Sequence, residues 1–195
     1  MKKFITIAGI CCALPLIIVA IIGLSSQKSP STKQSENMPA PATTPETTSQ
    51  NNQSIEIQVG NMAPDFSFQT IEGKTISLSS LRGQSVLFAF VVTQGCPACV
   101  IEAIAVREAQ RQIPFKVVQL VISTYDTVES LQYFKNEYGA PDWLVGFDKD
   151  NKIRNQYQVK SVDTTYIVDA KRKIIYQDDG DPADTETIVN VLKKL

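Results

Sequence analysis

The sequence predicts an α/β fold: a central mixed sheet flanked by helices, with an N-terminal β-hairpin extension. Three observations carry this expectation. The run Val86-Leu87-Phe88-Ala89-Phe90-Val91-Val92 is apolar without interruption and fits a strand buried on both faces. Apolar runs of strand length then alternate with segments of helical period, which implies a parallel centre to the sheet. Two strands joined by a tight turn, Thr164–Asp169 and Lys173–Tyr176, add antiparallel partners.

Before these elements the chain carries an extension. Met1-Lys2-Lys3 is basic, and Phe4 to Leu24 holds no charge. At about 1.5 Å per residue, that stretch matches a bilayer core of roughly 30 Å. A cleaved signal peptide has a shorter apolar region, about 7–15 residues, and an A-x-A site. Residues 1–24 therefore read as an uncleaved signal-anchor helix that meets the lipid bilayer through residues 4–24. The lysines place the N-terminus in the cytoplasm and the remainder outside. Cys11 and Cys12 read as apolar residues of that helix, because Ile10 stands where a lipoprotein signal has a small residue. Residues 25–54 are mostly Ser, Thr, Pro, Gln and Asn, with Met38 the one large apolar side chain. Such a segment cannot bury enough surface to offset ordering entropy and is expected to be a disordered linker. As a flexible coil it would reach on the order of 30 Å.

The folded domain spans 55–195. Asp65-Phe66-Ser67-Phe68 and Thr75-Ile76-Ser77-Leu78 alternate polar and apolar about Ile71-Glu72-Gly73-Lys74, which reads as a hairpin. Ser79 to Gly83 is a short helical turn closed by glycine, and the buried strand at 86–92 follows. The next helix starts after Cys96, with Pro97 at its first position, an apolar side of Val100, Ile101, Ile104 and Ala105, and an end before Pro114. Lys116 to Ser123 is another apolar strand. Asp126-Thr127-Val128-Glu129 has capping-box spacing, and Leu131, Phe134 and Tyr138 give helical period up to Gly139. A short helix over Ile153–Tyr157 precedes the closing hairpin. Asp184 starts a last helix with apolar positions Ile188, Val191, Leu192 and Leu195.

Composition narrows the chemistry. The 195 residues carry a net charge of −1, so no basic face argues for nucleic acid. There is no histidine, which excludes Ser-His-Asp and Cys-His catalysis and any His-ligated metal. Proton transfer near pH 7 is left to thiols, carboxyls, lysines and water. No cofactor or metal site is read from the sequence. Against this background Cys96-Pro97-Ala98-Cys99 stands out. The turn Thr93-Gln94-Gly95 places Cys96 where a helix begins, and a helix N-terminus stabilises a thiolate through unpaired N–H groups and partial positive charge. The pair reads as a redox site; the alternative is two buried small apolar residues.

These residues resemble a family. Strand, C-x-x-C, helix, strand, helix and a Thr-Thr-aromatic strand look like a thioredoxin-like fold. The chain from about residue 57 to 195 is similar to the TlpA/ResA-like group of membrane-anchored thiol–disulfide oxidoreductases, within the AhpC/TSA-redoxin superfamily. Gly60-Asn61-Met62-Ala63-Pro64-Asp65-Phe66 resembles the group's opening G-x-x-A-P-D-F, and Ser79-Ser80-Leu81-Arg82-Gly83 with Val86-Leu87 resembles its next stretch. The resemblance implies a Cys96–Cys99 disulfide, formed and broken by exchange with protein thiols. Cys96 would be the exposed, attacking sulfur and Cys99 the resolving one. Glu102 sits where many of these proteins carry an acidic residue close to the thiols; the alternative is a solvated helix carboxylate. Gly95, Pro97, Ala98, Asp163 and Thr164 would line the substrate groove. The implied partners are a membrane redox protein and envelope proteins, among them the apocytochrome c thiols of cytochrome c maturation. The implied place is the outer side of a bacterial cell membrane, in a single-pass protein.

The chain also departs from the group. Gly95 replaces the usual Trp before the first cysteine, and the proline of the C-x-x-C is Pro97 rather than residue 98. Asp163 stands where the group has a cis-proline, and a non-proline cis peptide costs about 2.5–4 kcal/mol. Asp163 reads either as a turn or strand-start residue or as a carboxylate near Cys96, where it would disfavour the thiolate.

Two other readings come from resemblance. Thr93-Gln94-Gly95-Cys96-Pro97 is similar to the T-x-x-C-P of thiol peroxidases of the peroxiredoxin type. That pattern also has a proline where Ala89 stands and an arginine near Asp163-Thr164. Val162-Asp163 resembles the V-D-H of SCO-type copper chaperones, without the metal-binding histidine and with C-x-x-C in place of C-x-x-x-C. Two thiolates suffice to hold Cu(I).

Overall fold

The computed structural model describes residues 57–195. The expected signal-anchor and linker lie outside the described residues. Among the described residues no helix is long and apolar enough to cross a membrane.

Strands β1 (Ser67–Gln69) and β2 (Thr75–Ser77) pair antiparallel as the expected hairpin. The central sheet is built from β3 (Val86–Val91), β4 (Lys116–Val121), β5 (Leu144–Phe147), β6 (Thr164–Val168) and β7 (Ile174–Gln177). Its order is β5-β4-β3-β6-β7. The β3–β4 and β4–β5 pairs are parallel, and β3–β6 and β6–β7 are antiparallel, so the sheet is mixed as expected. The helices are α1 (Pro97–Gln110), α2 (Val128–Glu137), α3 (Lys152–Gln156) and α4 (Thr185–Leu192).

Strand β3 lies at the centre of the sheet because every one of its residues is apolar and buried. Alternation sends Leu87, Ala89 and Val91 to one face, against Ala103 and Val106 of α1, Leu131 and Phe134 of α2, and Ile188 of α4. Val86, Phe88 and Phe90 point to the other face, into an aromatic cluster with Phe66, Tyr157 and Tyr166. Phe88 stacks on Tyr166 at 5.1 Å between ring centroids, and Phe66 meets Tyr157 edge-on at 5.8 Å. Burying each such ring contributes about 1.5–3 kcal/mol. The A-P-D-F stretch belongs to this layer. Phe66 packs in the cluster, Pro64 O accepts the Tyr157 hydroxyl at 2.5 Å, and Asp65 Oδ1 accepts the Ser79 N–H at 2.8 Å.

Four expectations are corrected. Strand β5 is not among the expected elements: it is four residues long and has Gly146 inside it. That glycine is required, because a Cβ there would lie 2.3 Å from Gln69 O, where the hairpin crosses the sheet edge. Helix α1 presents a different face from the one expected. Cys99, Glu102, Ala103, Val106 and Ala109 are buried, while Ile101 is 61% exposed and Ile104 38%. Ala103 and Ala109 let α1 approach the sheet closely, so small residues decide the phase over larger apolar ones. The α2 capping box is Thr127 with Ser130, one residue later than Asp126–Glu129 suggested. In α4, Val189 is buried with Ile188 and Leu192, whereas Leu195 lies beyond the helix and is exposed.

Candidate active site

The chain leaves β3 and turns through residues 92–96 to start α1. Gly95 has φ +72°, in the left-handed region that glycine occupies without strain. Thr93 fixes this turn. Its backbone N–H donates to Asp126 Oδ2 at 2.9 Å and its hydroxyl to Asp126 Oδ1 at 2.5 Å. Pro97 then occupies the first turn of α1, where its missing N–H leaves no bond unmade. Cys96 is the N-cap, and its Sγ accepts the Cys99 N–H at 3.1 Å, the role an oxygen plays in most caps.

Cys96 and Cys99 form a disulfide with Cα atoms 5.3 Å apart. The sulfurs are not equivalent: Cys96 is half-buried at the helix tip, and Cys99 is buried in the core. Glu102 is one turn further along the same helix face, about 5–6 Å from Cys99 between Cβ atoms by helix geometry. It is buried, so it is not a solvated helix carboxylate.

Asp163 approaches from the start of β6. It is held at φ +64°, in the left-handed region, and its N–H donates to Phe90 O at 2.7 Å. All described peptides are trans. Its carboxyl is buried and acts electrostatically on that of Glu102. Burial pushes the Glu102 carboxyl well above its ordinary range; Asp163 pushes it further, Thr165 pulls it back, and Asp178 adds a smaller upward push. Burial also raises Asp163, and the neighbouring Glu102 carboxyl pulls it back.

The other groove candidates divide. Gly95 and Pro97 are exposed beside Cys96, and Ala98 is half-buried. Thr164 is buried like Asp163, with its hydroxyl donating to Ser161 O at 2.9 Å. The structure thus sets Cys96, Cys99 and Glu102 along the start of α1, has Asp163 act on Glu102 from the start of β6, and leaves Gly95 and Pro97 exposed. Thr165 and Asp178, which face the carboxyl pair, were not singled out from sequence. Asp178 follows β7, and nothing local marks it as paired with Thr165, whose N–H it accepts at 3.1 Å. Among the described residues no group of three or more His, Cys, Asp or Glu side chains stands where a metal ion could be held.

A mixed sheet with a disulfide-bonded C-x-x-C at the N-terminus of its first long helix defines a thioredoxin-like thiol–disulfide oxidoreductase. The chain belongs to the AhpC/TSA family, which matches it over residues 59–177. It is 30% identical over 141 residues to the thiol-disulfide oxidoreductase ResA of Bacillus anthracis, covering 72% of this chain and 80% of ResA. It is 35% identical over 105 residues to Bcp of Coxiella burnetii, a protein named as a peroxiredoxin, covering 54% of this chain and 69% of Bcp. Among solved structures, a thioredoxin-like protein from Aeropyrum pernix superposes with a TM-score of 0.60 at 25% identity, covering 67% of this chain and 89% of that one. The resemblance to the ResA group is thereby borne out.

Proposed function

We propose that this protein exchanges the Cys96–Cys99 dithiol/disulfide with protein thiols on the outer side of a bacterial membrane, held there by residues 4–24. One observation carries the chemistry: a half-buried Cys96 caps α1 and is bonded to a buried Cys99 that shares a helix face with Glu102. A substrate thiolate attacks Cys96 Sγ and forms a mixed disulfide; the Cys96–Cys99 bond breaks and its electron pair leaves on Cys99. Glu102 supplies the proton that Cys99 takes up. A second substrate thiolate then attacks the substrate sulfur of the mixed disulfide and releases Cys96, leaving the site reduced and the substrate oxidised. Every step runs in reverse when the site is a reductant: Cys96 attacks, and Cys99 resolves after giving its proton to Glu102. Gly95, Pro97 and Ala98 offer the substrate surface beside Cys96. Protein thiols of the cell envelope, with those of apocytochrome c among them, and a membrane redox protein are the partners of this reading. Similarity to ResA supports it.

The test is the redox potential of the Cys96–Cys99 pair in the purified full-length chain, with Cys96→Ser as control. A reversible intramolecular disulfide and catalysed exchange with a protein disulfide are expected. Absence of either defeats the reading.

Similarity to Bcp favours a second reading, a thiol peroxidase. Two features weigh against it. The Thr93 hydroxyl is bonded to Asp126 and Ser130, and β6 is preceded by the carboxylate of Asp163 where a peroxidase would need a cation. Peroxide consumption well above that of free cysteine would support it over disulfide exchange.

A further inference from the structure

We infer that Glu102 and Asp163 hold a single proton between their carboxyls, and that Asp163 thereby matches the proton affinity of Glu102 to that of the Cys99 thiol. Asp163 would be a positioning residue, acting on Cys99 through Glu102. This inference rests on the oxidoreductase reading above and adds to it a residue that departs from the family pattern.

Each carboxyl is buried and acts on the other. Glu102 is 2% exposed and Asp163 1%. No N–H or O–H donor among the described residues bonds to either oxygen of Asp163 or to Oε1 of Glu102. Neither carboxyl has an ion-pair partner among the described residues. The groups that act on the pair are Thr165 from β6, Tyr176 from β7 and Asp178 just after it, and Cys99 stands one turn before Glu102 on α1. None of these supplies positive charge. Two buried carboxylates with no cation is a costly arrangement, whereas one shared proton joins one oxygen of each carboxyl and removes one charge. Asp163 is held in place by its N–H bond to Phe90 O and by a left-handed backbone that aspartate tolerates. Burial and Asp163 both raise Glu102.

The consequence is chemical matching. An ordinary glutamic acid is several units more acidic than a thiol, so it gives up a proton readily but takes one back from Cys99 poorly. Transfer in both directions is fastest when donor and acceptor have similar proton affinity. With Asp163 beside it, Glu102 keeps its proton through neutral pH. It passes that proton to Cys99 Sγ as the disulfide breaks and recovers it as the disulfide re-forms. A dicarboxylate pair with high proton affinity is the base that removes the Cys99 proton.

The test uses the oxidised full-length chain with ¹³C-labelled Asp and Glu side chains, titrated by carboxyl ¹³C NMR. In the native chain the pair is expected to keep one proton at pH 7. Asp163→Asn has the same shape and tolerates the same backbone, and it should lower the proton affinity of Glu102 by at least about tenfold, one pH unit. Glu102→Gln reads the same coupling from the other side: Asp163 should lose its response to Glu102 and titrate in a single step. The thiolate-corrected rate of disulfide reduction by dithiothreitol should fall off at lower pH in Asp163→Asn, by the same shift. The inference is overturned if both carboxyls are ionised at pH 7, or if Glu102 titrates unchanged in Asp163→Asn. A chain that shows the shared proton but no thiol exchange defeats the oxidoreductase reading instead, so the two failures are distinguishable.

Discussion

Thr93 and Asp126, thirty-three positions apart, are bonded twice: the backbone N–H and the hydroxyl of Thr93 both donate to the Asp126 carboxylate. The relationship ties the turn that carries Cys96 to the N-terminus of α2. It also explains why Asp126 is not the α2 cap. Asp126→Ala leaves the part-buried Thr93 N–H without its acceptor and the hydroxyl with Ser130 Oγ alone, and is expected to destabilise the fold by about 1–3 kcal/mol. Asp126→Asn keeps one acceptor oxygen and should cost less. Urea unfolding of the oxidised variants checks the order. Equal stability of Asp126→Ala and the native chain would show that the two bonds contribute nothing net.

The two sulfurs differ in burial, and their reactivity should differ with it. In the reduced protein, iodoacetamide is expected to modify Cys96 at least about tenfold faster than Cys99, following exposure and thiolate character at the helix N-terminus. Peptide mapping by mass spectrometry reads the ratio. Cys99→Ser should accumulate a mixed disulfide on Cys96, because no second sulfur remains to resolve it.

At Gly146 the backbone of the hairpin lies where a side chain would be, with Gln69 O and a Phe68 ring carbon at 2.3 and 2.7 Å from a Cβ. Gly146→Ala is expected to cost at least about 1–3 kcal/mol by overpacking. The loss should be local first: the Ile71 N–H, which donates to Val145 O at 2.8 Å, should lose hydrogen-exchange protection before the β3 amides do. Uniform loss across the sheet would contradict a hairpin held at this edge.

What was legible in the sequence was whatever local pattern decides. Strand β3 is apolar throughout, so its buried central place needed no tertiary information, and the glycine turn with Pro97 put Cys96 at a helix start. The A-P-D-F stretch marked the family before its contacts were visible. What was not legible depends on distant partners. Strand β5 is too short and too glycine-broken to signal itself, and it is defined by the hairpin crossing Gly146. The phase of α1 was misread because its larger apolar residues face outward, and close packing against the sheet selects the alanines. Ile101→Glu should therefore change stability by no more than about 0.5 kcal/mol, as at other exposed sites. Glu102 and Asp163 each stand out in the sequence, but nothing in it relates the two, which are 61 positions apart.

Asp178 gives the fold a pH dependence of definite sign. Burial is the main cause that pushes its carboxyl from 3.8 to about 6; the Thr165 and Gly180 backbone N–H groups pull it down, and Asp163 pushes it up. Because the folded value is the higher one, the folded chain binds more protons than the unfolded chain between these two pH values. Stability from this group must then fall as pH rises from about 4 to about 6, and stay at the lower level above that. Asp65, Glu72 and Asp184 are shifted downward and act with the opposite sign, so the total profile does not isolate Asp178. The difference between Asp178→Asn and the native chain cancels these and leaves Asp178 together with its smaller push on Glu102. Asparagine keeps an oxygen to accept the Thr165 N–H and carries no charge to bury. The variant is expected to match the native chain at pH 4 and to be the more stable at pH 7, by on the order of 1 kcal/mol once partial exposure is discounted. Denaturant unfolding at the two pH values reads this directly. A variant that is less stable at both would mean that the Asp178 charge is held by its N–H donors more than it is penalised by burial.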